Sequence, residues 1–303
     1  MSTTTPTAAG DRTEIPEQPP ANKQGKYSLS RRTRRTTVLV TLALTAVTFV
    51  MVSPMLWTLM TATKPIDTAF ASPPQFFYQP SFEAFVSLWE GTDYYRFVLN
   101  SVIIGVMSLV MTLLVSAPAA YALSRFGGRA SALILALAML FRAIPGFAIM
   151  LPFYQFMTDL GLYDSKLGLA LAFVAVDQPF TIWLLRNFFM AVPLELDEAA
   201  MIDGCSRWGA FARVILPVMG PGLITAGMFA FLLAFQSYLL PVVLTNVDAL
   251  TVPVFLSAQV GQSVPQLHQA SAGVILLALP IFALAFIAQR YLVAGLTNGS
   301  VKN

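Results

Sequence analysis

Long apolar runs alternate with short polar segments along most of the chain. The runs cover residues 38–60, 97–123, 131–157, 167–189, 218–244 and 271–293. Each is long enough, at about 1.5 Å per helical residue, to cross about 30 Å of hydrocarbon. The pattern therefore predicts an all-α, polytopic membrane protein with six transmembrane helices. Several runs contain proline, at Pro118, Pro145, Pro152, Pro179, Pro221, Pro241 and Pro280. Packed transmembrane helices tolerate such residues where neighbours or a cavity satisfy the freed carbonyls. Residues 1–30 are rich in Thr, Pro, Ala and polar residues without apolar periodicity, which predicts a disordered tail. The implied organisation is a disordered basic tail over 1–36, a six-span body over 37–294 and a second tail over 295–303.

One segment departs from the alternation. Between the fourth and fifth runs lies "LELDEAAMIDGCSRWGAFARVILP", residues 194–217, with four carboxylates and two arginines. Pro193 suits a first helical turn, and Glu195, Asp197 and Glu198 sit where the helix dipole favours negative charge. Gly204 is able to close that helix in the left-handed conformation. Ser206 is placed to cap a second short stretch over 207–214, ahead of Pro217. Ala199 and Ala200 predict a smooth patch that a partner could approach closely. Two readings stand on the residues alone: a docking helix for another protein, or an amphipathic loop lying on lipid headgroups.

Charge orients the spans. The flank "SRRTRR" (30–35) abuts the first apolar run. A twin-arginine export signal is the competing reading, but the run is long for a signal core and no A-x-A-like site ends it. With the N-terminus inside, fourteen Lys and Arg fall on the cytoplasmic side and only Lys64, Arg96 and Lys166 outside, with Arg142 inside a span. The asymmetry predicts N-in and C-in, with segment 191–217 in the cytoplasm. The hydrophobic content of 56% against 11% charged excludes tandem water-soluble domains. Cys205 is the only cysteine and His268 the only histidine. That excludes an intrachain disulfide and argues against zinc chemistry and a Ser-His-Asp triad. There is no G-x-x-x-x-G-K-[ST] loop; Gly25-Lys26 has Pro20 where the first glycine belongs. The chain is therefore not expected to hydrolyse ATP itself.

"EAAMIDGCSRWGAFARVILP" resembles the EAA loop of importer-type ABC transporter permeases. More narrowly, the chain resembles the second, shorter permease of maltose-type carbohydrate-uptake systems. The likeness covers about residues 38–302. It rests also on Asn100-Ser101, "AYALSRF" (120–126), "LPFYQFMTDLGLYDSKLGL" (151–169), "IWLLRNFFMAVPLELDEAA" (182–200) and "GLTNGSVK" (295–302). The resemblance implies that the EAA helix docks into a cleft of a cytoplasmic ATPase and couples closure of the ATPase dimer to alternating access. Glu198 would pair with a basic residue of the ATPase, Gly204 would permit the turn, and Asp203 would cap or salt-bridge locally. Ala199, Ala200 and Pro217 belong to the same coupling motif. The terminal Ser300, Val301 and Lys302 would reach between the ATPase subunits. It also implies partners in trans: two copies of the ATPase, which bind ATP and Mg, a second homologous permease and an extracytoplasmic solute-binding protein. No cofactor, metal or nucleic acid is expected on this chain. Two positions depart from the family: Phe235-Gln236 stands where Trp-Asn is common, and Cys205 where Ala is common.

Arg142, Asp177, Gln178 and Gln236 fall inside predicted spans, where ionisable and polar groups pair or line a cavity. An Arg142–Asp177 pair joining the third span to the fourth and a role in the translocation path are both open readings. Gln236 with Tyr238 either hydrogen-bonds a sugar or holds helices together. His268 is expected to be solvated in the last outer loop. The aromatic stretch 71–97 reads as an interfacial belt or as a contact for the binding protein. The competing functions are an importer permease for another small solute, such as a polyamine or glycerol phosphate, and a membrane-embedded enzyme. A lone His and a lone Cys make the enzyme hard to assemble.

Overall fold

The computed structural model describes residues 31–261 and 263–297, and among them there is no strand. In chain order the helices are α1 (Arg31–Thr63), α2 (Ile66–Ala69), α3 (Glu83–Gly91), α4 (Tyr94–Arg125) and α5 (Arg129–Arg142). Next come α6 (Gly146–Asp159), α7 (Lys166–Ala191), α8 (Glu195–Ile202) and α9 (Arg207–Ala210). A π-turn (Phe211–Ile215) leads into α10 (Leu216–Val218), followed by α11 (Gly220–Phe235), α12 (Leu239–Leu244), α13 (Val252–Gln259) and α14 (Val264–Thr297). Contacts cluster into residues 1–52 and 53–303. In the first unit the described part is residues 31–52 of the apolar helix α1, and the packing below concerns the second.

Four helices, within α1, α4, α7 and α14, are long and apolar enough to cross a membrane unbroken. Two further candidates are bent pairs. α5 and α6 meet at 90°, and the segment Arg207–Val218 meets α11 at 80°. The expected third span is therefore two helices parted at Ala143–Pro145. Pro145 has no N–H to donate, and it pushes the residue before it out of the helical region. The expected fifth span, 218–244, also divides, with α11 ending at Phe235 and α12 starting at Leu239. Pro241 cannot bond back to Ser237, so the ladder stops and restarts. Pro118, Pro179 and Pro280 instead lie inside continuous helices.

The expected tail boundaries shift as well. α1 already starts at Arg31, inside the segment expected to be disordered, because arginine is a good helix former joined to an apolar helix. At the other end α14 continues through Gly295 to Thr297. A single glycine costs a helix only about 1 kcal/mol. The remainder of both tails, including Ser300, Val301 and Lys302, lies outside the described residues.

Within residues 53–303, α4 packs against α7 over the longest contact and α11 lies against both. The buried face of α4 is built from Asn100, Ser101, Gly105, Ser108, Thr112, Ser116, Ala117 and Ala120. Small side chains let helix backbones approach closely where lipid supplies no hydrophobic drive. Three apolar clusters follow one another along α4, around Tyr94, Ile104 and Ala117–Ala120. The third gathers Leu185, Phe189, Phe211 and Ile215 beneath α8.

α7 begins with a capping arrangement. Ser165 Oγ accepts from Gly168 N at 2.9 Å and donates to Leu162 O at 2.9 Å. A Cβ on Gly168 would overlap the Leu162 carbonyl oxygen, which is backbone and cannot swing away. Gly168→Ala is expected to cost about 1–3 kcal/mol, read as a lower thermal midpoint of the detergent-solubilised protein. An unchanged midpoint would mean that the α6–α7 loop yields freely.

The same loop grips a distant one. Asp164 accepts four backbone N–H groups, from Asn246 and Val247 at 2.9 Å and from Asp248 and Ala249 at 3.0 Å. Asn100 Nδ2 donates to Asp248 O and Leu250 O, and Ser101 Oγ accepts from Val252 N. Burial alone would raise the Asp164 carboxyl, but the four N–H donors outweigh it and hold its pKa below the ordinary value. Its folded pKa is thus lower than its unfolded one. The stabilisation is complete above the ordinary carboxylate range and is lost as pH falls through the depressed value. Asp164→Asn is expected to lower stability at neutral pH and to flatten the acid limb of a melting-temperature profile below about pH 4. Parallel profiles for the two proteins would show that the clasp contributes nothing.

One expectation fails outright. His268 lies in α14 and is 2% exposed, not solvated. Its Nε2 is 3.0 Å from Lys64 O, and Phe70 packs edge-on against the ring. The helix simply begins seven residues before the apolar run does.

Candidate coupling site

The exceptional segment forms a helix, a tight turn and a second helix. α8 starts after Leu194, so Pro193 precedes the helix rather than occupying its first turn. Glu195, Asp197 and Glu198 occupy the first turn, where the dipole favours them. The helix closes on Gly204, whose φ is +87°. Gly204 N donates to Met201 O at 3.1 Å and Cys205 N to Ala200 O at 3.0 Å. This pair of bonds is the Schellman closure, and it needs a residue without a Cβ at the left-handed position. Ser206 Oγ then accepts from Gly209 N at 3.1 Å and starts α9. Pro217 lies exposed in α10, directly after the π-turn and before the bend into α11.

The two faces of α8 differ sharply. Glu195, Leu196, Glu198, Ala199, Met201, Ile202 and Asp203 are exposed, with Ile202 at 86%. Glu198 and Asp203 form no ion pair among the described residues; of the two roles implied for Asp203, cap or local salt bridge, it takes the C-cap position. Ala200 is 5% exposed and turned inward, so the small-residue patch expected from both alanines is Ala199 alone. Trp208, 65% exposed, lies against Phe211. Between α8, α9 and the end of α4 is a cleft of roughly 440 Å³ lined by Phe126, Asp197, Glu198, Arg207 and Trp208.

Beneath α8 lies an ionic cluster that the motifs did not reveal. Asp197 Oδ2 is 2.8 Å from Arg125 Nη2, and both side chains are about nine-tenths buried. Tyr121 O–H donates to Asp197 Oδ1. Arg125 Nη1 donates to Phe189 O at 3.1 Å and Val192 O at 3.2 Å. Arg125 is the last residue of α4 and points inward. Arg186 Nε bonds the Leu123 carbonyl at 3.2 Å, capping the same helix end.

The polar residues of the breaks lie elsewhere. Arg142 Nη1 donates to Asp177 Oδ1 at 3.0 Å, and the guanidinium stands 5.3 Å from the Phe180 ring centre. Asp177 is buried and Arg142 about one-third exposed. Gln178 Nε2 turns to Thr112 O at 3.4 Å. Gln236 closes α11 and Tyr238 precedes α12, both exposed. No bond joins either to Arg142 or Asp177 among the described residues. The two breaks are nonetheless neighbours, since a Cβ on Gly146 would lie 3.6 Å from Leu239 Cδ1.

Residues 112–298 match the family model described as "Binding-protein-dependent transport system inner membrane component". A probable ABC transporter permease protein, y4oR of Sinorhizobium fredii, is 37% identical over 91% of this chain and 100% of its own length. The diacetylchitobiose uptake system permease protein DasC of Streptomyces coelicolor is 34% identical over 83% of this chain and 92% of its own. Among solved structures, a bacterial ABC transporter involved in import of the acidic polysaccharide alginate matches with a TM-score of 0.72. That match covers 86% of this chain and 98% of the other at 22% identity, a likeness of fold.

Proposed function

Since the chain belongs to the binding-protein-dependent transport system inner membrane component family, we propose that it is the carbohydrate-conducting permease of an ABC importer. As a member of that family it is a multi-pass subunit of the plasma membrane, and ATP hydrolysis belongs to a partner ATPase. Six crossings, counting each bent pair as one, put both termini in the cytoplasm by the distribution of Lys and Arg. α8 then lies on the cytoplasmic face between the fourth and fifth crossings.

The observation that carries the reading is the two-faced α8. Its outer face presents at Glu198 a carboxylate with no ion pair among the described residues, beside Ala199 and the bare Ile202, while its inner face is fixed to α4 through Asp197. A helix that only floated on headgroups would need no buried ion pair beneath it. Glu198 meets a basic group of the ATPase, Ala199 allows close approach, and Ala200 packs inward. Asp203 and Gly204 form the turn, and Pro217 sets the bend into α11. Ser300, Val301 and Lys302 reach toward the ATPase subunits, of which two copies bind ATP and Mg. A second permease completes the channel, and a solute-binding protein delivers the cargo. Arg142 with Asp177, and Gln236 with Tyr238, stand at the two broken helices as the polar positions of the path.

The carbohydrate class follows from the likeness to a diacetylchitobiose permease and from uncharged hydrogen-bonding groups, Gln236 and Tyr238, at the second break. The test is uptake of radiolabelled oligosaccharides into proteoliposomes holding the full complex. Accumulation that needs both ATP and the binding protein supports the reading. Uptake of polyamines or glycerol phosphate in place of every saccharide tried would overturn it.

A further inference from the structure

Docking uses only the outer face of α8. The inner face offers little apolar grip, because the buried residues of α8 are Asp197 and Ala200. One is a methyl group and the other a charge. The eight-residue helix lies between the short link Val192–Leu194 and the turn at Gly204. Something must stop α8 from pivoting there when it is pushed. We propose that Asp197, Arg125 and Tyr121 form a positioning joint that delivers displacement of α8 to the ends of α4 and α7. The inference rests on the coupling reading above.

Arg125 is built to be the centre of such a joint. It belongs to α4, its Nη1 holds the Phe189 and Val192 carbonyls at the end of α7, and its Nη2 faces Asp197 of α8 at 2.8 Å. The planar guanidinium fixes direction through its two bonds to the carbonyls at the end of α7, while its link to Asp197 is a close charge contact. Tyr121 holds the other carboxylate oxygen, and its ring is wedged against Phe189 and Phe211, 5.7 Å and 4.9 Å away. Three elements thus meet at one charge pair. The helices so joined, α4 and α7, are also those with the longest mutual contact.

The joint is poorly explained as a device for stability. Arg125 Nε has no hydrogen-bond partner among the described residues, and the Nη2–Oδ2 approach is an ion pair outside hydrogen-bond alignment. Apolar residues of similar volume commonly stabilise such a buried site as well or better. What they would not supply is a fixed bearing between α8 and two helices.

The test uses the whole transporter in proteoliposomes, with solute moved per ATP hydrolysed as the readout. Asp197→Asn keeps the shape of the side chain and removes its charge. The variant complex is expected to retain its ATPase and to hydrolyse ATP, while solute moved per ATP falls roughly ten- to a hundredfold, as Å-scale misplacement does in other machines. The double variant Arg125→Leu with Asp197→Leu removes both charges together and guards against a folding defect. A role in folding alone predicts that this double variant recovers the wild-type ratio; the joint predicts that it stays uncoupled. A wild-type ratio in either variant would overturn the proposal. Failure of the coupling reading itself is distinguishable, because it would appear as no ATP-driven saccharide uptake by the unaltered complex.

Discussion

Glu198→Lys is expected to abolish ATP-driven uptake while leaving membrane insertion intact. Glu198 is exposed on α8, next to Ala199, and no cation among the described residues of this chain neutralises it. Inside the chain its replacement therefore removes nothing that packs. Against a basic group of the ATPase, the lysine sets like charges face to face, and losing a desolvated charge pair costs on the order of 2–5 kcal/mol. That is enough to empty the docking site at ordinary complex concentrations. The measurement is co-purification of the ATPase, with transport in liposomes alongside. Full recovery of ATPase and of uptake would take Glu198 out of the interface.

Arg142→Ala should be the most destabilising single change in the membrane-spanning part. Asp177 is 5% exposed, and its only charged partner among the described residues is Arg142, at 3.0 Å. Removing one member of a buried pair leaves an uncompensated charge and costs about 3–5 kcal/mol, whereas removing both is often neutral. The thermal midpoint of Arg142→Ala in detergent is expected to fall well below that of the native protein. The double variant Arg142→Leu with Asp177→Leu should regain most of the loss. If the single variant melts like the native protein, water reaches Asp177 and the pair does not join α5 to α7. If the double variant is stable but transports poorly, the pair belongs to the path as well as to the scaffold.

The apolar runs placed the helices well, because lipid leaves a helix no choice but to bury its own backbone bonds. They did not place the breaks. Pro118 and Pro179 sit inside continuous helices while Pro145 and Pro241 accompany interruptions, and nothing local in the sequence separates the two pairs. The turn at Gly204 was legible because an Asp-Gly step two residues ahead of a capping serine has few backbone solutions. The phase of α8 was not. Asp197 and Glu198 are adjacent in sequence but about 100° apart around a helix, and eight residues with no clear apolar stripe do not say which one faces inward. Arg125 looked like one more basic residue at a span end, since its acceptors lie more than sixty positions away. His268 and Asp164 were missed for the same reason: their partners, Lys64 and residues 246–249, belong to remote loops.

The central claim is that α8 is where a cytoplasmic ATPase takes hold. Cys205, the only cysteine, follows the turn that closes α8 and is partly exposed. It is thus a native reporter beside the docking face. The decisive measurement is cross-linking of Cys205, with a short bismaleimide, to an ATPase bearing a single cysteine in its permease-binding cleft. The account predicts a permease–ATPase product in transport-competent membranes, lost in Glu198→Lys. An assembled, transporting complex in which Cys205 yields no such product, and instead reacts in intact cells with a membrane-impermeant maleimide, would contradict it.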